Sequence, residues 1–180
     1  MAGIGNPCAK IVFVMDAPTN DDEAERVSFS SQSSSLLKKL LVKAGLKKSK
    51  VYLTYAVKFV PKILRRTYRH GDTRSPSDDE LAAFTPSLLE ELAIVKPRII
   101  VAVGGTAVRM LIDSTAKITE VRGRVHDSPL VDYPIMPILH PAFMEKTGGA
   151  GSRFFMQSLS DIREAKRIAY REKVNASSRL

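Results

Sequence analysis

The sequence predicts an α/β fold: a three-layer α/β/α sandwich around a central four-stranded, mainly parallel sheet. Short β-branched and apolar runs recur along the chain, and stretches with helical spacing of apolar residues separate them. A length of 180 residues suits one domain with one sizeable core. We expect a single domain over residues 1–170, followed by a flexible basic tail over residues 171–180.

Four segments are expected to form the strands. Residues 10–15, 51–54 and 98–103 are almost wholly apolar or β-branched, as in strands buried on both faces of a sheet. Residues 134–139 resemble them, although Pro137 cannot donate to a ladder and is typical of an edge strand. Strands alternating with helices predict parallel pairing.

Helical spacing of leucines predicts a helix over residues 36–44, with a preceding serine as N-cap and Gly45 as the stop. The capping-box pattern at residues 77–80 begins a second helix, in which Pro86 predicts a kink or an early break. The acidic stretch Asp21–Glu25 breaks the periodicity and is expected to be a loop. Further helices are expected at residues 106–112 and 155–169.

Four chemically distinct features directly follow the four predicted strands. They are Asp16, Tyr55, the pair Gly104 and Gly105, and His140. Because parallel sheets bind ligands at the carboxyl ends of their strands, we expect these features to converge on one edge of the sheet. A carboxylate, a phenol, a glycine turn and an imidazole there predict a polar site.

The positive charge is concentrated in two segments. The net charge is +9; residues 58–74 hold six basic side chains against one acidic, and residues 163–180 hold six against two. The first segment interleaves arginines with Tyr68 and His70 in a predicted loop, a composition that suits phosphate contact and base stacking. A merely solvated loop is the alternative. For the second segment, a solvated helix face is the favoured interpretation.

The composition excludes several classes of protein. With 44% hydrophobic residues the chain is globular, and Cys8, its single cysteine, excludes a disulfide framework or a metal site of several thiolates. Neither a membrane span nor a signal peptide is expected, so the prediction is a cytoplasmic protein without cofactor or metal.

Several motifs, in order, resemble the uracil-DNA glycosylase superfamily, and most closely its branch that usually carries an iron–sulfur cluster. The family's G-E-x-P-G and H-P-S motifs are matched by Met15–Thr19 and His140–Ala142. Its leucine helix and its V-Y-I-T-N-x-V-K strand are matched by Leu36–Leu46 and Val51–Lys58. Ser28–Ser30 stands at its P-F-V-G segment, and the resemblance spans about residues 8–165.

The resemblance implies hydrolysis of an N-glycosidic bond in DNA after the nucleotide has been extruded from the stack. It places Phe29 against the base, the Ala17 backbone at the base edge, Asp16 at the attacking water and His140 at the base O2. The family's iron ligands align in part with Phe59 and Phe84, so no cluster is expected.

Four of these positions keep a second interpretation. Tyr55 stands where the family has the Asn that reads uracil; its ring could fill the base pocket, select another base, or pack in the core. Asp16 replaces a Glu and could merely cap a turn. Phe29 could pack in the core instead of stacking on a base, and His140 could be structural.

The leading hypothesis is a monomeric DNA glycosylase that acts on uracil or a related deaminated base. The alternative is a catalytically impaired DNA-binding relative, in which Tyr55 blocks the pocket. A nucleotide-binding protein of another kind is the third hypothesis, supported only by the glycine pair. The expected DNA-binding residues are Lys58, Arg65, Arg66, Arg69 and His70, with His70 a weaker candidate for a nucleophile than for a phosphate contact.

Overall fold

The structure, a computed structural model, describes residues 1–63 and 73–171, apart from the side chains of Gln32 and Ser33. Its centre is a five-stranded sheet in the order β1-β3-β2-β4-β5. The strands are β1 (Ile4–Gly5), β2 (Ile11–Met15), β3 (Val51–Tyr55), β4 (Ile99–Val103) and β5 (Ile135–Ile138).

Strands β2 to β5 pair in parallel, and β1 pairs with β3 in antiparallel orientation. The four predicted strands and the mainly parallel α/β architecture are therefore confirmed. The sheet has one strand more than expected because β1 contains only two residues, one of them Gly5. So short a segment carries no periodic signal.

The helices cover both faces of the sheet. They are α1 (Asn20–Glu25), α2 (Gln32–Lys43), α3 (Asp78–Val95), α4 (Gly105–Leu111), α5 (Ile118–Val121), α6 (Pro141–Lys146) and α7 (Arg153–Tyr170). Alternate residues of β2 enter two separate apolar clusters, one containing Phe13 and the other containing Val14. Helices α2 and α7 contribute to the first cluster, and α3 and α4 to the second. This double burial explains why the strands are apolar at every position.

The acidic stretch is helical, so its assignment as a loop was wrong. Thr19 caps α1 through its side chain, and Asp22 bonds back to the Thr19 backbone to complete a capping box. Acidic residues in a first helical turn are favoured by the helix dipole. The helix is too short to show apolar periodicity, and α5 and α6 were missed for the same reason.

Helix α3 runs on through Pro86 to Val95 as its apolar spacing predicted, so of the two expected effects of Pro86, a kink or an early break, the early break is wrong. Pro86 has no N–H to donate to the preceding turn, so the helix continues without that one bond. The hydroxyl of the neighbouring Thr85 donates to the carbonyl of Leu81 at 2.8 Å. The capping box at Ser77 and the left-handed Gly45 after α2 are confirmed.

Most of the predicted basic loop, residues 64–72, and the tail from residue 172 onward lie outside the described residues. The division into a domain and a tail at residue 170 stays a prediction. Across residues 1–63 and 73–171, no helix is both long and apolar enough to span a membrane.

Candidate functional site

A cleft of about 530 Å3 opens at the carboxyl end of the parallel sheet. Asp16 follows β2 and His140 follows β5, and both side chains line this cleft together with Ala17. The other lining residues include Pro18, Thr19, Asn20, Asp21, Pro61, Arg74, Pro76, Ala142 and Lys146. The carboxyl end of the sheet thus brings together Asp16, Ala17 and His140, three of the residues to which the resemblance assigned roles in catalysis or base binding.

Asp16 is held by the start of α4. Its Oδ1 accepts from the backbone N–H of Ala107 at 3.3 Å, and Thr106 also bonds to the carboxylate. Burial raises the pKa of Asp16 above its ordinary value, although the nearby His140 ring and these hydrogen bonds pull in the opposite direction. The carboxylate therefore faces the cleft as a positioned hydrogen-bond acceptor.

His140 is the N-cap of α6. Its Nδ1 accepts from the backbone N–H of Ala142 at 3.2 Å, so in the neutral ring the proton is on Nε2. A ring fixed in this way offers one N–H donor to whatever occupies the cleft.

Gly104 allows these two groups to approach each other. A Cβ at this position would lie 3.0 Å from Asp16 Oδ1 and 3.1 Å from His140 Cδ2. The backbone φ of +95° is also one that side-chain-bearing residues rarely adopt. Only glycine fits between the carboxylate and the imidazole without moving either.

Tyr55 and Phe29 lie behind the cleft, in the core. Their ring centroids are 4.3 Å apart and their planes differ by 4°, so the rings are stacked. Phe29 is 1% exposed and Tyr55 0%, and neither lines the cleft. The structure thus stacks these two predicted base-binding residues on each other, and neither of them lines the cleft with Asp16 and His140.

Phe29 has an unusual backbone conformation that points its ring at Tyr55. Its φ is +62°, in the left-handed region, which is costly for an aromatic residue. Tyr55 accepts from its N–H at 2.9 Å, and Lys38 Nζ donates to its carbonyl at 2.8 Å. The surrounding contacts therefore stabilise a conformation that the residue alone would avoid.

Asp22 is an important residue that the sequence analysis missed. It is fully buried, and its Oδ2 accepts from the Tyr55 hydroxyl at 3.1 Å, while its Oδ1 accepts from the Ser30 N–H at 2.7 Å. Burial by itself would raise the pKa of Asp22, but hydrogen bonds from Thr19 and Ser30 outweigh it and hold the pKa below its ordinary value. Assigning the acidic stretch to a loop concealed this role.

Lys58, the described member of the expected DNA-binding set, lies within an ion pair. Its Nζ is 2.6 Å from Glu91, whose carboxylate also accepts from the hydroxyls of Tyr52 and Thr54. The remaining four expected residues, Arg65, Arg66, Arg69 and His70, lie outside the described part of the chain.

An aromatic surface next to the cleft was not predicted. Phe143, one residue beyond the cleft-lining Ala142, is 43% exposed, and its ring centroid lies 5.0 Å from that of Phe154 in an edge-to-face arrangement. The guanidinium of Arg153 lies 4.7 Å from the centre of the Phe154 ring. The sequence feature that could have indicated this surface is Phe143 itself. This aromatic residue, three positions after His140, belongs to no apolar helical face.

The residues present do not fit an iron–sulfur cluster. Cys8 is the single cysteine of the chain and is exposed, whereas cluster irons are held by several thiolates. Phe59 and Phe84, the positions at which the resemblance expects ligands, pack against each other with ring centroids 5.5 Å apart. In the described ranges, no three side chains of His, Cys, Asp or Glu gather into a metal site.

Comparison with known proteins identifies the family to which the chain is similar. The uracil DNA glycosylase superfamily matches residues 2–163. A type-4 uracil-DNA glycosylase of Thermotoga maritima is 30% identical over 173 residues, which cover 96% of this chain and 84% of the relative. The type-4 enzyme of Archaeoglobus fulgidus is 27% identical over 78% of this chain and 69% of its own length.

A third relative has a different name. A DNA polymerase of Bacillus phage SP01 is 27% identical to this chain over 142 residues, which cover 78% of this chain but 14% of the polymerase. The match of the family over nearly the whole length, together with the strand-end cleft that holds Asp16 and His140, decides the classification. The chain belongs to the uracil-DNA glycosylase superfamily.

Proposed function

We propose that this chain binds DNA at the strand-end cleft and does not excise uracil, because its own Tyr55 occupies the stacking position on Phe29. One observation carries the proposal: the parallel stack of these two rings at 4.3 Å, with both rings buried. A flipped base that stacked on Phe29 would have to displace the Tyr55 ring. That displacement would break the hydrogen bonds of its hydroxyl to Asp22 and to the Phe29 backbone.

Binding to DNA is supported by the surface around the cleft. Arg74 and Lys146 line it, and the exposed Phe143 lies beside it. Cations that contact phosphates, combined with exposed rings on which bases stack, are the usual components of a surface for single-stranded nucleic acid. The names of the relatives above, DNA glycosylases and a DNA polymerase, indicate the same class of partner. We infer that Arg65, Arg66, Arg69 and His70, which lie outside the described residues, also contribute to DNA binding.

The test uses oligonucleotides with and without uracil. We expect wild-type protein to bind single-stranded and duplex DNA with an affinity that falls steeply with salt, and to leave uracil-containing strands intact after alkali treatment. Phe143→Ala with Lys146→Gln should weaken binding about tenfold or more, given that base stacking is worth roughly 1–3 kcal/mol per base. Ile94→Ala is the control, because Ile94 is an exposed apolar residue of α3. Strand scission at uracil by the wild type would overturn the proposal.

A second function, excision of uracil or a related deaminated base, is favoured by a different observation. Asp16 and His140 remain together at the cleft wall, on either side of Gly104. In that reaction the Asp16 carboxylate would hold the attacking water. The Nε2–H of His140 would donate to the charge that develops on the leaving base, an interaction commonly worth several kcal/mol.

The same assay separates the two functions. If alkali-labile sites form at uracil, hypoxanthine or xanthine, then Asp16→Asn and His140→Ala should each reduce their formation 100-fold or more, an estimate of roughly 3 kcal/mol per lost group. Scission that survives both substitutions would show that neither residue carries the reaction.

A further inference from the structure

A second cationic surface lies at the opposite end of the sheet from the cleft. It is a groove of about 550 Å3 along α7, lined by Arg163, Lys166, Arg167, Tyr170, Arg171 and Ala44. Lys10 and Arg98, which immediately precede β2 and β4, reach the same end of α7. The cleft and this groove, here named the α7 groove, are separated by the length of β2, about 16 Å.

We propose that the α7 groove binds the phosphate backbone of a second DNA segment, so that one chain can hold two segments at once. This inference rests on the proposed DNA binding at the cleft. Four cationic side chains line the groove, and two more, Lys10 and Arg98, contact the end of α7 beside it. No carboxylate is among the lining residues, and Glu164, which lies on α7 nearby, is paired with Arg167. The charge complementarity to a polyanion is therefore local and not merely a property of the composition.

Two of these cations are already positioned. Lys166 Nζ donates to the carbonyls of Ala44 and Gly45 at 3.1 and 2.9 Å, and Arg163 donates to the carbonyl of Lys43 at 3.3 Å. Each keeps further N–H groups for a ligand, because an ammonium has three donors and a guanidinium five. Side chains that are fixed before binding lose less conformational entropy when a phosphate arrives.

The groove also contains a ring on which a base can stack. Tyr170 is 38% exposed, and the ammonium of Lys10 lies 4.9 Å from its ring centre. An exposed ring among cations is the pattern of a nucleic-acid surface.

An anionic membrane is the competing partner, and the fold argues against it. A helix that binds a membrane surface needs an exposed apolar face to insert. The apolar face of α7 is used inside the protein, where Phe155, Leu159 and Ile162 are buried. What α7 presents along the groove is charged and aromatic, which favours DNA over lipid.

The test is capture of a second duplex. Biotinylated duplex on beads is saturated with full-length protein and washed, and a fluorescent duplex of another sequence is then added. We expect wild-type protein to retain the fluorescent duplex, and Arg167→Gln with Arg171→Gln to retain at least tenfold less while still binding the first duplex. The slope of log affinity against log salt concentration, measured for the second binding step, should become shallower by about one unit for each lost phosphate contact.

The control variant, Lys117→Gln with Arg124→Gln, removes the same charge from exposed positions near α5 and should retain the second duplex as the wild type does. If wild-type protein binds no DNA at all, the proposed function fails. If it binds the first duplex and not the second, or if the α7 variant captures as well as the wild type, this inference alone fails. Binding of phosphatidylserine vesicles that depends on Arg167 and Arg171, without capture of DNA, would also overturn it.

Discussion

Tyr55 donates to Asp22 across 3.1 Å of protein interior, and the same hydroxyl accepts from the Phe29 N–H at 2.9 Å. Burial, together with the negative charge of Asp22, raises the pKa of Tyr55 further above its ordinary value, so the phenol stays protonated and keeps its donor. The stacked pair is therefore fixed by hydrogen bonds as well as by ring contact.

Removing only that hydroxyl should cost stability. Tyr55→Phe keeps the ring stack but leaves the Phe29 N–H without a partner in the core, for which we expect a loss of about 1–3 kcal/mol in the free energy of unfolding. Urea titration measures it. Tyr170→Phe is the control, because that hydroxyl belongs to a partly exposed residue and its removal should change stability little. Equal stability of the two variants would contradict the role given to the hydroxyl.

Removing the whole ring should open a slot that a free phenol can fill. Tyr55→Ala is expected to cost about 3–5 kcal/mol, as for other large core residues. Phenol, which reproduces the deleted atoms, should raise the melting temperature of this variant by roughly 3–6 °C at ten times its Kd. Benzene, which lacks the hydroxyl, should do less, and wild-type protein should respond to neither. A variant that gains nothing from phenol would show that the slot collapses.

Acid should destabilise the protein through Asp22. Because its folded pKa lies below the ordinary 3.8, the carboxylate contributes stability that is fully present above pH 3.8 and is lost as the pH falls through the folded pKa. Asp22→Asn should lose about 2 kcal/mol or more at pH 7, and the gap to wild type should close in acid. Denaturant unfolding from pH 7 down to pH 2 follows both proteins. If the difference in free energy of unfolding between wild type and Asp22→Asn does not depend on pH, the charge of the carboxylate is not its cause.

Asp16 should have the opposite effect on stability. Its folded pKa lies above 3.8, so the ionised form is disfavoured by the fold, and the stability present below pH 3.8 is lost as the pH rises through the folded pKa. Asp16→Asn is therefore expected to raise the melting temperature at pH 7 and to have little effect below pH 3.8. Calorimetry at the two pH values tests the sign. A lower melting temperature at pH 7 would mean that the attraction to His140 outweighs burial.

Gly104 should tolerate no side chain, whereas its neighbour should. Gly104→Ala adds a Cβ 3.0 Å from Asp16 and imposes a strained φ, so we expect a loss of about 1–3 kcal/mol and weaker DNA binding at the cleft. A Cβ on Gly105 meets nothing within 4 Å, and this residue lies in α4, so Gly105→Ala should be neutral or stabilising. Thermal unfolding and DNA titration compare the two. Similar behaviour of both variants would contradict the packing argument.

The cleft was predictable from the sequence. Asp16, Gly104 and His140 each follow a strand of a parallel sheet, and parallel strands end at a common edge, so topology alone brings them together. The face of the sheet to which the Tyr55 side chain points was also predictable. Side chains alternate along a strand, and Tyr55 shares the face of Leu53, which points into the core.

The contacts of Tyr55 could not be predicted from sequence patterns. Phe29 contacts it from an irregular segment with a left-handed backbone, and Asp22 contacts it from a helix with no apolar face. Both depend on tertiary contacts, which periodicity does not encode. The charged groove along α7 was visible as a basic segment, but the contributions of Lys10 and Arg98 from strand ends required the fold.

The two edges of the sheet affect whether the protein aggregates at high concentration. At one edge β1 covers β3. At the other, both backbone groups of Ile135 bond to His126, while Pro137 has no N–H and its carbonyl accepts from Gly123. Edge strands with unpaired backbone N–H and C=O groups favour strand pairing between molecules. Edge strands that are short, or whose backbone groups are already hydrogen-bonded, disfavour it. The same segments that finish the sheet should therefore protect concentrated solutions of this protein against β-aggregation.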